Sequence, residues 1–141
     1  MATIQELENA IVEDFALFDD WTEKYQYIIE LGQQLPEMAD VLKTEDRKIK
    51  GCQSSVWLSA SMQDGKVWFE ADSDSTFVKG EIALLLRVLS GQAPEDVLKS
   101  ELSFIDKIGL RQHLAMTRAN GLAAMIKQIK LYALGFQSQQ I

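Results

Sequence analysis

The chain has 141 residues and a formal net charge of −7, and its composition of 47% hydrophobic and 25% charged residues is typical of one globular domain, predicted here over residues 1–141. The acidic balance argues against general nucleic-acid binding, and without an 18-residue apolar run or a secretory signal we expect no membrane span and a cytoplasmic location. One cysteine and one histidine exclude an internal disulfide and leave too few ligands for a metal cluster, so no metal site is expected.

Two amphipathic helices are predicted at the N-terminus. Apolar residues recur at intervals of three and four over residues 4–18, and acidic residues occupy the other faces. A second helix is predicted to begin after Asp20, which forms a capping box with Glu23, and to end before Pro36. The two helices are expected to form a hairpin that covers the core.

A β-hairpin is predicted after a charged segment over residues 37–51. Asp64-Gly65 between two alternating runs indicates a type I′ turn, because both residues tolerate positive φ. This turn places Gln63 opposite Lys66 and fixes every later pair, with one apolar face and one wetter face. The predicted pairs are Met62–Val67, Ala60–Phe69 and Leu58–Ala71 on the apolar face, and Ser61–Trp68, Ser59–Glu70 and Trp57–Asp72 on the wetter face.

A long helix is predicted after the hairpin, over residues 76–90, with Asp74 or Ser75 as its N-cap. Extrapolation of the hairpin register places Ser55 opposite Asp74 and brings Cys52 near the start of this helix. The helix dipole there favours a thiolate, whereas the aspartates at that end of the hairpin oppose it. The sequence leaves open which effect is larger.

Three further helices are predicted in the C-terminal part of the chain. They are expected over residues 94–99, 102–108 and 118–134. Thr117 is the predicted N-cap of the last helix and Gly135 its stop, and residues 137–141 are expected to form a frayed tail. The lone histidine, His113, lies in the tight link before this helix.

The only cysteine, Cys52, lies in a Lys-Gly-Cys-Gln-Ser-Ser loop between a basic segment and the first strand. Gly51 gives this loop conformational freedom, and Ser54 and the free backbone amides can hydrogen-bond an anionic sulfur. The basic residues over 47–50 are usually solvated, but near a thiol they favour the thiolate. These features suit a reactive cysteine, although a buried, inert one is the common alternative.

Several roles are therefore open to Cys52. A cysteine-dependent hydrolase would use His113 as the base and would need a third group to orient it. A metal site is disfavoured by the shortage of ligands. A sulfur carrier would hold a persulfide, and a lone cysteine suits it because a second thiol within reach would release the sulfur by forming a disulfide. The last possibility is a non-catalytic interaction module.

Residues 51–58, which read Gly-Cys-Gln-Ser-Ser-Val-Trp-Leu, resemble the cysteine-loop motif of the SufE/CsdE family of sulfur-acceptor proteins. Further matches follow in the family's order at residues 71–75, 78–80, 113–114 and 117–125. The resemblance covers nearly the whole chain.

The resemblance implies an α+β fold, a small antiparallel sheet packed against helices, as in the U-type iron–sulfur scaffolds. It implies that Cys52 accepts sulfane sulfur from a PLP-dependent cysteine desulfurase, stimulates that enzyme and passes the sulfur to an iron–sulfur scaffold. The PLP belongs to the desulfurase, so the chain would have no cofactor of its own and would be a carrier and activator and not a stand-alone enzyme. Its single cysteine argues against a cluster scaffold, and a homodimer is left open.

The resemblance also marks residues that could support Cys52. Asp74 is expected to be an N-cap or, alternatively, to position the loop or dock the desulfurase. Lys79 and His113 are as easily a first-turn lysine and a structural histidine. Arg118 lies near a helix N-terminus, where the dipole disfavours a cation, and this indicates an anionic partner, either a carboxylate or the persulfide. The full set of supporting candidates is Gly51, Ser54, Asp74, Lys79, His113 and Arg118.

Overall fold

The computed structural model of the protein describes residues 2–139, and over this range the chain forms six α-helices and one two-stranded antiparallel sheet. The α+β fold is therefore confirmed. In chain order the elements are α1 (Ile4–Phe15), α2 (Trp21–Gln33), β1 (Val56–Gln63), β2 (Lys66–Ser73), α3 (Thr76–Leu89), α4 (Pro94–Lys99), α5 (Phe104–Lys107) and α6 (Met116–Gln139).

The helix α3 lies at the centre of the fold, in contact with α1, α2 and β2. Its predicted inward residues Ile82, Leu85 and Leu89 are buried, but so are residues on its other faces, including Val78 and Glu81. Because α3 is buried on several sides, it fixes the positions of the elements that pack against it. One of these is β2, the partner of the strand that follows the Cys52 loop.

A direct backbone contact fixes α2 against α3. Gly80 of α3 lies against the carbonyl oxygen of Ile28, and Gly32 of α2 lies against the carbonyl oxygen of Thr76, so a Cβ atom at either glycine would collide with the facing backbone. The two helices can approach this closely only because neither position has a side chain. Glycine at position 80 is thus required by packing.

The hairpin has the predicted register over all eight pairs. Asp64 and Gly65 have φ angles of 54° and 77°, as a type I′ turn requires. One prediction for its faces is wrong: Asp72, assigned to the wetter face, is only 2% exposed. Residues 37–43 cover this end of the sheet, where the Met38 N–H donates to Asp72 Oδ2 at 3.2 Å and Lys43 Nζ lies 3.3 Å from the same oxygen.

For the two N-terminal helices, the predicted N-cap of α2 is correct, whereas the predicted length of α1 is not. α1 ends at Phe15 and not at residue 18. Asp20 caps α2 as predicted by accepting the Glu23 N–H at 2.9 Å, but the Glu23 side chain does not accept the Asp20 N–H in return, so the predicted capping box is only half formed. Glu8, predicted on the outer face of α1, is instead buried, and its Oε1 is satisfied there by accepting the Phe104 N–H at 3.2 Å.

The limits of α6 differ from the prediction at both ends. The Ala119 N–H donates to the carbonyl oxygen of Ala115 at 2.9 Å, so helical bonding begins before Thr117, which lies in the first turn and is not the N-cap. Gly135 does not stop the helix, which continues to Gln139, because an interior glycine costs only about 1 kcal/mol relative to alanine. Of the predicted frayed tail, residues 137–139 are helical and residues 140–141 lie outside the described range.

The remaining helices are close to their predictions. α4 has the predicted bounds, whereas α5 is shorter than predicted because Leu102 has a φ of 54°, which a right-handed helix cannot include. The buried apolar residues, with the exception of Met38, form one continuous cluster around α3. Over residues 2–139, every helix is too short or too polar to cross a membrane.

Candidate functional site

The loop that carries Cys52 is closed at its base. The Ile49 N–H donates to the carbonyl oxygen of Val56 at 2.7 Å, and Lys48 forms a bridge with Trp57. Gly51, just before the cysteine, has a φ of 90°, a conformation that favours glycine. Residues 50–55 therefore project as a short loop with Cys52 near its tip.

A second anchor ties the exit of the loop to the start of α3. The Ser55 N–H donates to Asp74 Oδ1 at 3.1 Å, and the Asp74 N–H donates to the carbonyl oxygen of Ser55 at 3.3 Å. The N-cap of α3 is Ser75, whose Oγ accepts the Val78 N–H at 3.3 Å. Asp74 is thus not the N-cap. Its contacts match the alternative prediction, that it positions the loop.

The thiol of Cys52 faces a small cavity between the loop, α3 and α6. Its Sγ donates a hydrogen bond to the carbonyl oxygen of Gly121 at 3.5 Å. The cavity has a volume of about 40 Å³, which suits one additional atom but not a drug-sized ligand. Its lining combines three segments that were separate in sequence, and it includes Ser54 of the loop, Val78 and Glu81 of α3, and Thr117, Arg118 and Gly121 of α6.

The resting environment favours the neutral thiol. Burial raises the pKa of Cys52, and the negative charge of Glu81 raises it further. Two of the three basic residues that would favour a thiolate near the thiol contact other groups. Arg47 donates to Thr44 Oγ1 at 3.2 Å, and Lys48 Nζ lies 3.9 Å from Glu45 Oε1. The raised pKa in this conformation thus comes from burial and Glu81, and not from the aspartates that the sequence analysis set against the helix dipole.

Glu81 is a residue of this site that the sequence analysis missed. It is 2% exposed, and its Oε2 has no hydrogen-bond partner among the described residues. Burial raises the pKa of Glu81 to about 8, against the opposing positive charge of Arg118. A signal was available, since Glu81 lies four residues from both Phe77 and Leu85 and thus on a buried stripe of α3.

The neighbours of Arg118 are an aromatic ring and a carboxyl group. Its guanidinium group lies over the Phe77 ring, 5.0 Å from the centroid, in a cation–π contact. It lines the cavity, and its charge acts on Glu81. The group on which this charge acts is a carboxyl group, but burial raises its pKa to about 8 and keeps it mostly protonated near neutral pH. An anionic partner for Arg118 therefore stays a prediction.

Two predicted supporting residues lie elsewhere. Lys79 Nζ is 3.5 Å from Asp72 Oδ1 and so belongs to the buried ion pairs at the end of β2. His113 stacks on Trp21 with 4.4 Å between ring centroids, and its Nδ1 is 2.7 Å from the carbonyl oxygen of Gly109. Neither side chain lines the cavity around Cys52. Within residues 2–139, moreover, no group of three or more His, Cys, Asp and Glu side chains is arranged to hold a metal ion.

Comparison with known proteins identifies the family of the chain. The family model for SufE, the Fe-S metabolism associated domain, matches residues 9–133. An uncharacterized SufE-like protein of Rhizobium meliloti (strain 1021) is 42% identical over 132 residues, 90% of this chain and 94% of the relative. Another from Rhizobium etli is 38% identical over 127 residues, 86% of each chain.

The fold is also similar to a solved one. The solution structure of a hypothetical protein from Thermus thermophilus matches with a TM-score of 0.77 over 94% of this chain and 96% of that chain, at 22% identity. This likeness concerns the fold alone, whereas the family match and the relatives identify the sequence. The chain belongs to the SufE family and carries its domain associated with iron–sulfur metabolism.

Proposed function

We propose that the protein is a sulfur carrier that accepts sulfane sulfur as a persulfide on Cys52 from a PLP-dependent cysteine desulfurase. The observation that carries this proposal is the position of the chain's only cysteine, near the tip of a closed loop with its thiol against a cavity of about 40 Å³. A cavity of this size matches one added sulfur atom. Membership of a family associated with iron–sulfur metabolism supports iron–sulfur cluster assembly as the destination of the sulfur.

The transfer needs no external oxidant or reductant. The thiolate of Cys52 attacks the outer sulfur of the persulfide on the desulfurase, a new sulfur–sulfur bond forms, and the bond between the donor's two sulfurs breaks. The donor cysteine leaves as a thiolate and takes up the proton that Cys52 lost. A thiolate of the downstream acceptor then attacks the outer sulfur on Cys52 in the same way. Removal of the sulfur frees the desulfurase cysteine, and this would stimulate that enzyme.

The resting loop has to move for this reaction. Within the cavity the thiol is neutral and bonded to the Gly121 carbonyl, whereas the attack needs an accessible thiolate. Gly51 at one end of the loop and the Ser55–Asp74 bond at the other are the points where the loop would swing toward the desulfurase. On return, the cavity would shield the persulfide from reductants.

The contacts of His113 weigh against the cysteine-dependent hydrolase. Its ring stacks on Trp21 and does not line the cavity around Cys52, so His113 is not placed to act as the general base for that thiol. A cavity of about 40 Å³ also leaves little space for an acyl substrate. The carrier needs neither a base of this kind nor a large cavity.

Alanine release by a cysteine desulfurase supplied with free cysteine tests the proposal. The wild-type chain should raise the turnover rate of the desulfurase, and Cys52→Ser should not, although it should still dock. His113→Ala is the control that separates the carrier from the hydrolase, because it should stimulate like the wild type. No stimulation by the wild type, or equal stimulation by Cys52→Ser, would overturn the proposal.

A further inference from the structure

One oxygen atom in the cavity has no partner in the resting structure. Glu81 is 2% exposed, and its Oε2 makes no hydrogen bond with any described residue. Leaving a buried polar atom unpaired costs roughly 1–3 kcal/mol, so such a group in a native fold requires an explanation. The oxygen belongs to a residue that lines the same cavity as Cys52.

The proton on Glu81 gives this oxygen a specific capacity. Burial raises the pKa of Glu81 to about 8, despite the opposing charge of Arg118, so near neutral pH the carboxyl group is mostly protonated. A protonated carboxylic acid donates a hydrogen bond, which a carboxylate cannot do. A buried carboxylic acid held neutral in this way is an established means of stabilising an anion.

The loaded form of Cys52 would bring an anion into this cavity. Persulfides are more acidic than thiols, so the outer sulfur of a Cys52 persulfide carries negative charge near neutral pH. A charge in a small, partly apolar space requires a donor and a positive charge nearby. Among the described residues that line the cavity, Cys52, Glu81 and Arg118 are the ionisable ones. They come from the loop, α3 and α6, while β1 contributes the apolar Val56.

This inference rests on the proposed function. We propose that Glu81 is a positioning residue that seats the loaded persulfide: as a neutral carboxylic acid it donates a hydrogen bond from its buried carboxyl group to the outer sulfur on Cys52, and Arg118 supplies positive charge beside it. The oxygen that is unpaired at rest gains its partner when the sulfur arrives. Sulfur retention thereby becomes sensitive to pH, because ionised Glu81 would repel the anion that neutral Glu81 holds.

The test loads the full chain with inorganic polysulfide, so that docking to a desulfurase is not involved, and follows sulfur loss to a phosphine reductant by intact mass between about pH 6.5 and 9.5. Wild-type retention should fall at alkaline pH, above the resting value of about 8, because the persulfide anion raises the pKa of Glu81 further. Glu81→Gln keeps a hydrogen-bond donor that cannot ionise, so its sulfur retention should lack this fall. The rate of sulfur loss from the wild type, divided by the rate from Glu81→Gln at the same pH, should therefore increase with pH. Glu81→Leu removes the donor and should lose sulfur about tenfold faster at pH 7.

A second readout separates seating of the persulfide from a merely structural role. If Glu81→Leu only loosened the loop, alkylation of the unloaded Cys52 thiol would accelerate as much as sulfur loss. The inference predicts instead that alkylation changes much less than sulfur loss. Thermal unfolding of each variant checks the fold, and the Gln variant keeps the test decisive if the Leu variant misfolds.

The outcomes distinguish the inference from the function beneath it. Equal sulfur retention by the wild type and Glu81→Leu, or a pH-dependent fall that persists in Glu81→Gln, overturns the role of Glu81 and leaves the carrier proposal standing. Failure of both polysulfide and a cysteine desulfurase supplied with free cysteine to place a sulfur on wild-type Cys52 overturns both.

Discussion

Two carboxyl groups in this protein are equally buried and have opposite chemistry. Asp72 at the end of β2 and Glu81 in α3 are each 2% exposed. Burial acts to raise the pKa of Asp72, but the hydrogen bonds and positive charges around it are stronger, and its pKa is lowered. Its partners are the backbone N–H groups of Ser73 and Met38 and the ammonium groups of Lys43 and Lys79.

Glu81 lacks such a set of partners. Burial dominates, its pKa rises to about 8, and the charge of Arg118 opposes this only in part. Burial alone thus does not determine the protonation state of a carboxyl group. Hydrogen-bond donors and positive charges keep one group ionised, as at Asp72, and without enough of them the other keeps its proton, as at Glu81. Asp72 belongs to the scaffold, and Glu81 belongs to the cavity of Cys52.

The largest expected difference between the two groups is in the pH dependence of stability. Unfolded Glu81 ionises near 4.5 and folded Glu81 near 8, so between these values the folded state binds the extra proton. Stability is therefore lost as the pH rises through this window, by up to about 1.4 kcal/mol per pH unit. Glu81→Gln should remove this slope and be several kcal/mol more stable than the wild type at pH 8, as measured by urea unfolding.

The exposed Glu70 offers a matched control for that measurement. Glu70→Gln should keep the wild-type slope, because an exposed carboxyl group is not desolvated by folding. Identical slopes in the wild type and Glu81→Gln would contradict the assignment of a buried proton to Glu81.

Asp72→Asn should destabilise the fold by about 2–3 kcal/mol at pH 7, because it removes a paired buried charge and takes the carboxylate away from Lys43 and Lys79. The contribution of Asp72 is present above its unfolded pKa of 3.8 and is lost as the pH falls through the lower folded value, the opposite direction from Glu81. Chemical unfolding measures the loss, with the exposed Asp96→Asn as control. A loss below about 0.5 kcal/mol would show that the ion pairs contribute little.

A smaller effect is expected from Asp74, which holds the cysteine loop by a single exposed side-chain bond to Ser55. Asp74→Ala should cost about 1 kcal/mol or less in stability and raise the alkylation rate of Cys52 several-fold, because the loop opens more often.

The N-cap residue provides the contrast. Ser75→Ala should cost about 1 kcal/mol through α3 while leaving the alkylation rate of Cys52 nearly unchanged. Equal alkylation rates in the wild type and Asp74→Ala would show that this bond does not restrain the loop.

The hairpin and the two carboxyl groups differ in how far their structure could be predicted from the sequence. The register of the hairpin was predictable because the Asp64-Gly65 turn fixes every pair on a period of two. The burial of Asp72 was not, because residues 37–43, which cover it, have no periodic pattern that reveals what they pack on. Glu81 lay on a visible buried stripe, but only the fold shows that this stripe meets Cys52.

The family resemblance and the fold complement each other at the C-terminal end of the chain. The motif over residues 117–125 was recognisable in sequence, yet the spacing alone assigned Thr117 to the wrong position of α6. The structure places Thr117, Arg118 and Gly121 in the cavity wall. His113, which lies only four residues before Thr117 in sequence, stacks on Trp21 instead. Sequence distance from a motif therefore does not decide which side chains share the site.

The central claim, that Cys52 accepts sulfur, is tested most directly by the intact mass of the chain after incubation with free cysteine and a PLP-dependent cysteine desulfurase in the absence of reductant. The carrier proposal predicts a gain of one sulfur atom that maps to Cys52 and is absent from Cys52→Ser. No gain on the wild-type chain, with a desulfurase that turns over in the same mixture, would contradict it.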